Sequence, residues 1–561
     1  MNISENTSQR ISKIISILCL IFGIGSLIIF IPALRELIIS LGEKYMHRSL
    51  NHWLWNARII KWELQFFLSL CIILFINYCL NSKKYEEIIT KQLQFFSWCF
   101  IFVASLFLII LACQSKDIWY DETFSLGLAR HSIKDLIILT AKDVHPPLYY
   151  LILKIAMIIF PGSATAAKII SVLPIILIMV ISNKFFSKEF SYKSSILFNL
   201  LFLSAYSTFE YSIEIRMYTW CMLFCMLCCI FSYYILTKNN IQSYLLYVLF
   251  AECGAYCQYW TAFGLALNFV LISILCLIRN KKNIKKILIT AAIGIILFLP
   301  WAKVVVSQLT DVAGEYWISP ITIKNVFEYM LYELPMTGIL KIISIILVIY
   351  LLINTIKGIK NKNINSDFEL VCFITPFMLI ACATIISVLF KPVFQAKYAL
   401  PLSYFVLFYI VISINKIQIK NKYALIITGA CLLCIVFNSS NIFLSERITG
   451  RYNKDFNKMM EDNLTENTIF VFDKNIEKHI PYCIAYLFPN NEIYNYDLMP
   501  LWTSAYFYER SNLINDISGK KDLCFVMNKD SETLDEIKNT EYIMGNIANY
   551  REVKFYFKKS F

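Results

Sequence analysis

The stretch "DIWYDETFSLGLARHSIKDLIILTAKDVHPPLYYLI" (117–152) follows directly on a charge-free run, residues 92–115. Acids, histidines, aromatics and a double proline crowd together here, beside a segment long enough to span a bilayer. Such a run needs about 18 apolar residues, and four more reach that length: 14–34, 217–237, 253–278 and 370–390. The stretch is therefore a polar loop pressed against a membrane. The chain reads as a polytopic α-helical membrane protein.

Composition agrees. The 561 residues are 58% hydrophobic and 16% charged, against about 25% charged in soluble domains, and the mean hydropathy is +0.59. The first run is too long for a signal-peptide core and is read as a retained span. The net charge of +13 calls for no nucleic acid, because most basic residues fall in short loops between spans, as the positive-inside rule requires. Of the 18 cysteines, sixteen lie in or at apolar runs, where cysteine packs as a small hydrophobe. The pairs Cys225/Cys228 and Cys431/Cys434 have CxxC spacing but no histidine nearby, so packing is expected over metal binding. Cys483 and Cys524 are expected to be able to pair if the tail is extracytoplasmic.

Thirteen spans are expected, at about 14–34, 64–80, 94–113, 165–185, 193–209, 216–237, 243–258, 260–278, 285–305, 338–356, 369–390, 397–414 and 421–442. The lysine-rich loops 81–91, 183–194, 279–286, 357–363 and 415–422 then share one side, the cytoplasmic one. This holds only if "PPLYYLILKIAMIIF" lies along the membrane instead of crossing it. The basic loop 35–63 falls outside, against the rule. Four polar pieces share the extracytoplasmic face: 114–160, 206–218, 307–335 and 391–398. The chain divides into a two-span extension (1–93), a membrane core (94–444) with a catalytic loop at 114–160, and a tail (445–561). The tail is polar and of domain size; "NTIFVFD" and "KDLCFVMNKD" read as strands and "EKHIPYCIAYLF" as a helix, a small extracytoplasmic α/β domain. It contains neither GxGxxG nor a Walker sequence.

The chemistry-bearing residues sit in those polar pieces. Asp121 and Glu122 are solvated loop acids or a carboxylate base at the surface. In "DVHPP" the prolines fix the backbone and present Asp143 and His145; Tyr149 and Tyr150 are expected to be interfacial anchors. In "EYSIEIRMYTW", Glu210, Glu214 and Arg216 stand at a helix mouth. They form either an internal pair such as Glu214–Arg216, or present a guanidinium that grips phosphate. Lys397 and Tyr398 open a late span from the same face. Glu252 lies within an apolar run, where an ionisable group is functional or paired with a neighbouring helix.

The ordered set — an acidic pair after a span, D-x-H-P-P-L-Y-Y, E-x-R-M-Y, then K-Y-x-L-P — resembles the membrane glycosyltransferases of the C-type fold. The match is with the protein O-mannosyltransferase-like group, over about 94–415. In that group the late position often carries arginine where Lys397 stands here. The resemblance implies a transferase that moves a sugar from a polyprenyl-phosphate carrier to an extracytoplasmic acceptor, inverting the anomeric carbon. It implies Asp121 as base with Glu122 as alternate, and Arg216, supported by Lys397 and His145, facing the departing phosphate. Asp143, Glu214, Tyr218 and Tyr398 join the substrate site. No cofactor is readable; a divalent cation beside the acids stays open because no ligand set is legible. The alternatives are a lipid-linked sugar flippase or transporter, and a polysaccharide polymerase of the same fold.

Overall fold

The computed structural model of the protein describes residues 32–46, 52–81 and 85–443, with short gaps at 116–117, 162, 313–317, 361–363 and 418–420. Before 32 it describes a few positions, and beyond 443 chiefly six strands. The helices are α1 Pro32–Met46, α2 His52–Asn81, α3 Tyr85–Gln114, α4 Tyr120–Arg130, α5 Ile133–Thr140, α6 Leu148–Ile159 and α7 Ala164–Glu189. There follow α8 Tyr192–Leu203, α9 Tyr206–Ser212, α10 Tyr218–Lys238, α11 Ile241–Ala255, α12 Tyr259–Arg279 and α13 Ile284–Val312. The last are α14 Ile323–Tyr332, α15 Lys341–Lys360, α16 Ile364–Leu389, α17 Ala396–Ala399, α18 Ser403–Ile417 and α19 Asn421–Phe443. Among the described residues, nine helices are long and apolar enough to cross a membrane, and the chain is a multi-pass membrane protein.

Most expected spans are helices within a few residues of their expected bounds. Two of them are helices too short to cross a bilayer core. The expected 193–209 is α8, of 12 residues, followed by the separate α9, and the expected 243–258 is the 15-residue α11. At 1.5 Å per residue both fall short of a core about 30 Å thick. Helix α8 is enclosed by protein, with Phe198, Leu201 and Asn199 all buried, whereas α11 keeps Leu245 and Leu249 on an exposed side. The region 35–63, expected as a loop, is helical on both sides of a short link. Helix α3 runs through the expected boundary at 93/94. The first expected span, 14–34, lies largely outside the described residues.

The centre of the bundle is α10. It is apolar around its whole circumference, as a helix must be to sit inside a protein rather than on its edge. Of its apolar stretch 78% is buried, against 11% for α13, which faces outward. Cysteine, methionine and small residues let neighbours approach it, and Cys229 Sγ lies 3.7 Å from Cys372 Sγ of α16. A buried amide ties four helices together. Asn268 Oδ1 accepts from Ser232 at 2.9 Å and from Tyr247 at 3.0 Å, and its Nδ2 donates to Thr375 at 2.9 Å. Polar links of this kind hold helices that gain little from hydrophobic association in lipid. Gly264 of α12 touches the turn 400–402, where a Cβ would stand 2.5 Å from Leu402 Cδ2. That close approach seats α17 on the bundle.

In the tail both expected strands are present, as β1 Ile469–Phe472 and β4 Leu523–Asn528. With β2 Ile493–Asn495, β3 Tyr508–Glu509, β5 Met544–Tyr550 and β6 Val553–Lys558 they form one sheet, ordered β3-β2-β1-β4-β6-β5. The first four strands are parallel and β6 pairs antiparallel with β4 and β5. Cys524 is a buried free thiol. The expected helix "EKHIPYCIAYLF" and Cys483 lie outside the described residues.

Candidate active site

The polar loop becomes two short helices and a turn. Helix α4 starts at Tyr120, with Asp121 and Glu122 in its first turn, where carboxylates meet the positive end of the helix dipole. Glu122 Oε2 accepts the Trp119 main-chain N–H at 3.0 Å, one half of a capping box. Glu122 Oε1 accepts the main-chain N–H of Ile215 at 2.9 Å, across 93 residues of sequence. Asp121 points elsewhere and keeps 21% of its side chain exposed, with Oδ2 3.8 Å from Arg216 Nε.

Arg216 is the hub. It stands in the irregular turn between α9 and α10, 4% exposed. Its Nη1 donates at 3.4 Å to both the Asp121 carbonyl and Ser125 Oγ. Asp121 is its carboxylate partner at 3.8 Å, and Glu214 is buried nearby, its carbonyl accepting the Arg216 main-chain N–H at 2.8 Å. Around the guanidinium lie the Tyr149, Tyr150 and Tyr218 rings, each 1% exposed. The Tyr218 hydroxyl is buried without a hydrogen-bond partner, while the Tyr150 hydroxyl is turned to Arg216 and the Tyr149 hydroxyl to Ser171, and Arg216 Nε faces Asp121 Oδ2 at 3.8 Å. Tyr149 and Tyr150 are core residues and not interfacial anchors. They occupy the inward side of α6, Tyr150 packing edge-on against Phe124 of α4.

The double proline does what its stiffness predicts. Pro146 and Pro147 are buried, Pro147 caps α6, and the first free amide, Leu148 N–H, donates to the Tyr256 carbonyl at 2.9 Å. Asp143 and His145 are half-buried and lie within electrostatic reach of Arg216. Burial, and then the Arg216 charge, lower the His145 pKa, against the pull of Asp143. The lowered pKa favours the neutral imidazole, and Asp143 and Asp121 oppose that shift. From the other side Gln308 Nε2 donates to the Thr140 carbonyl at 3.0 Å, its Oε1 accepts from Tyr259 at 2.6 Å, and Trp301 Nε1 donates to that hydroxyl at 2.8 Å. This chain of donors fastens the D-V-H-P-P loop to α13.

Lys397 completes the cluster. Its Nζ lies 5.9 Å from the Trp119 ring, 6.0 Å from Tyr218 and 5.7 Å from Tyr398, within cation–π range. Asp121, Glu214 and Arg216 are its charged neighbours. Asp121, Glu122, Asp143, His145, Glu214, Arg216, Tyr218, Lys397 and Tyr398 therefore come from three separate pieces of chain and meet at one place. The fourth expected piece, 307–335, reaches the edge through Gln308 and through Tyr332, which pairs with Tyr211; Glu210 lies beside that pair.

Several residues of the site had no clear sequence signal. Trp119, Ser125 and the Ile215 amide act through the main chain or through one contact. Lys168 had a signal, a lone cation in an apolar run; it is 1% exposed and donates to the Ser115 hydroxyl at 2.6 Å and carbonyl at 3.2 Å, fixing the end of α3. Glu333 is 1% exposed, with neither carboxyl oxygen hydrogen-bonded; burial raises its pKa well above the ordinary range. Among the described residues no group of three or more His, Cys, Asp or Glu forms a metal site.

Next to α6 an apolar cleft of about 360 Å³ opens between α11, α12 and α13, lined by Val248, Leu265, Phe298 and Ala302, with Glu252 as its ionisable group. Gly294 keeps the cleft wide near the acid, since a Cβ there would stand 3.2 Å from Val248 Cγ2 and 3.4 Å from Glu252 Oε1. Glu252 Oε2 is buried with no hydrogen-bond partner; the paired alternative considered for it is not seen for that oxygen.

No family model matches the sequence, and no curated protein matches it. The chain is similar to solved structures that include two of ArnT from Cupriavidus metallidurans. Against the apo state the TM-score is 0.58 at 9% identity, covering 82% of this chain and 97% of that one. Against the state bound to undecaprenyl phosphate it is 0.57 at 9% identity, covering 82% and 98%. The chain thus shares the fold of ArnT.

Proposed function

We propose that the protein transfers a sugar from a polyprenyl-phosphate carrier to a hydroxyl acceptor on the extracytoplasmic side, with inversion at the anomeric carbon. The observation that carries this reading is the pairing of a half-open carboxylate with a buried guanidinium ringed by three buried tyrosines. Asp121 takes the proton of the acceptor hydroxyl as its oxygen attacks the anomeric carbon. The bond from that carbon to the phosphate oxygen breaks, and polyprenyl phosphate leaves with the electron pair. A phosphate monoester is a stable anion and needs no strong acid, only fixed positive charge where its own charge grows. Arg216 supplies that charge, its Nε and the tyrosine hydroxyls donating to phosphate oxygens. Lys397 adds a second charge as a point cation. Asp143, His145 and Glu214 hold sugar hydroxyls or orient the cations.

The donor class is supported by the similar chain that binds undecaprenyl phosphate and by the apolar cleft beside α6, whose walls suit an isoprenoid chain. The tail is read as an extracytoplasmic α/β module that selects the acceptor, and residues 1–93 as an extension to the catalytic core. A divalent cation beside the acids is not needed for any step above.

The test is to incubate purified protein with a panel of polyprenyl-phosphate sugars and measure free polyprenyl phosphate. Acceptor-dependent release is expected from at least one donor. Asp121→Asn should lower the rate by about 10³-fold or more, within the range of general-base contributions, while leaving expression and fold intact. Near-wild-type release by that variant removes Asp121 from the mechanism.

A further inference from the structure

Asp121 and Glu122 are adjacent acids with opposite surroundings. Asp121 faces the cleft. Glu122 is 3% exposed and both its oxygens are engaged by main-chain N–H groups, of Trp119 at 3.0 Å and Ile215 at 2.9 Å. The two acids therefore meet two adjacent residues of a distant turn: Asp121 faces the Arg216 guanidinium at 3.8 Å, and Glu122 holds the amide just before it. Helix α4 begins at this point, so the lock joins a helix start to the mouth of the most buried helix in the bundle.

We infer that Glu122 is a positioning residue, an anionic clamp that fixes the 213–217 turn and with it the direction of the Arg216 guanidinium, and that it is not an alternate base. The inference rests on the reading of Arg216 as the donor-phosphate ligand. Each Glu122 oxygen is turned into the protein, 3% exposed and holding a main-chain N–H, and an amide N–H can only donate, so neither partner offers a route to pass on a proton. Carboxylate is required chemically. Glutamine offers one oxygen, and its amide group would set a donor against a donor, leaving one buried N–H unmet. Aspartate is one methylene short of spanning both partners. The clamp also explains how a turn with little regular hydrogen bonding holds a charged side chain still: the fixed point comes from the other end of the site.

The experiment compares the full-length wild type with Glu122→Gln, Glu122→Asp and Asp121→Asn in lipid nanodiscs. Hydrogen–deuterium exchange of the peptide covering 211–218 is read without substrate. The kcat and donor KM are read with the polyprenyl-phosphate sugar that the wild type uses. Loss of a hydrogen bond to a charged group predicts on the order of 10- to 100-fold faster exchange at 213–217 in Glu122→Gln. It also predicts a donor KM raised by a similar factor and a pH–rate profile of unchanged shape. Glu122→Asp should show the same changes to a smaller degree. Asp121→Asn should leave exchange near wild type and depress kcat.

Wild-type exchange in Glu122→Gln overturns the clamp. So does a fall in kcat at constant KM that matches Asp121→Asn, since that is the behaviour of a base. If Glu122→Gln does not fold, Glu122→Asp decides by the same two readings. If the wild type uses no donor of the panel, the function reading fails and the exchange data alone decide the clamp.

Discussion

The bundle buries ionisable groups in two regions under opposite conditions. Around Arg216, cation and acids are interleaved: Asp121 lies 3.8 Å away, and Asp143 and Lys397 are charged neighbours. At the turn after α14, Glu333 is buried with both oxygens unmet. Burying a charge costs least where opposite charge lies close; burial pushes the Glu333 pKa up and only Lys341 opposes it, so the protonated form is favoured there, whereas Arg216 is compensated by Asp121 and Asp143. The difference teaches that burial alone does not mark function here. What sets the Arg216 region apart is a buried cation compensated by acids from other pieces of the chain.

The comparison is broken or sharpened by substitutions on each side. The largest effect is expected from Arg216→Lys, which keeps a charge but loses the fork and its reach. Sugar transfer should fall on the order of 100-fold, mostly through donor KM; an unchanged apparent donor affinity would remove Arg216 from the phosphate. Lys397→Arg should change the same constants by only about 3- to 10-fold, since that group acts as one of two charges.

The third prediction separates the regions by pH. Glu333 has a raised folded-state pKa. Its contribution to stability is thus full below the unfolded value of about 4.3 and is lost as pH rises through the folded value. Glu333→Gln removes that loss. Its Tm should exceed the wild type's by more at pH 8 than at pH 5, worth about 1–3 kcal/mol, with activity retained. A lower Tm at pH 8 would mean that Glu333 is ionised and paired. The smallest effect concerns His145, whose folded pKa is lowered. The unfolded chain then binds more protons below about pH 6.5, so wild-type stability should fall as pH drops from 6.5 to 5. His145→Gln should flatten that slope, as followed by thermal melts across the window.

Much of this was legible in the sequence because membranes impose simple rules. Apolar length predicts helices, and the ordered polar motifs pointed at once to the residues that meet around Arg216. What stayed hidden depends on partners far apart in the chain. Nothing local to Glu122 reveals that its second oxygen ends on the Ile215 amide. Tyr149 and Tyr150 follow a double proline in an amphipathic segment, a pattern shared by interfacial anchors; only the packing of α6 against α4 and α7 turns them inward. The short helices were overestimated for a related reason, since hydropathy does not distinguish a residue facing lipid from one facing protein.

The α10–α11 hairpin has a consequence for how a short helix is held in the bundle. Asn239 closes it in a left-handed conformation at φ 48°, the Tyr244 hydroxyl donates to Asn239 Oδ1 at 3.3 Å, and Lys286 Nζ donates to the Asn239 carbonyl. Helix α11, with 15 residues, is about 22 Å long, too short to match a bilayer by itself. It is held instead by the packing of α10 against it and by the Asn239 turn that joins the two, so the helix that carries Arg216 at its mouth is also the wall on which the short helix rests.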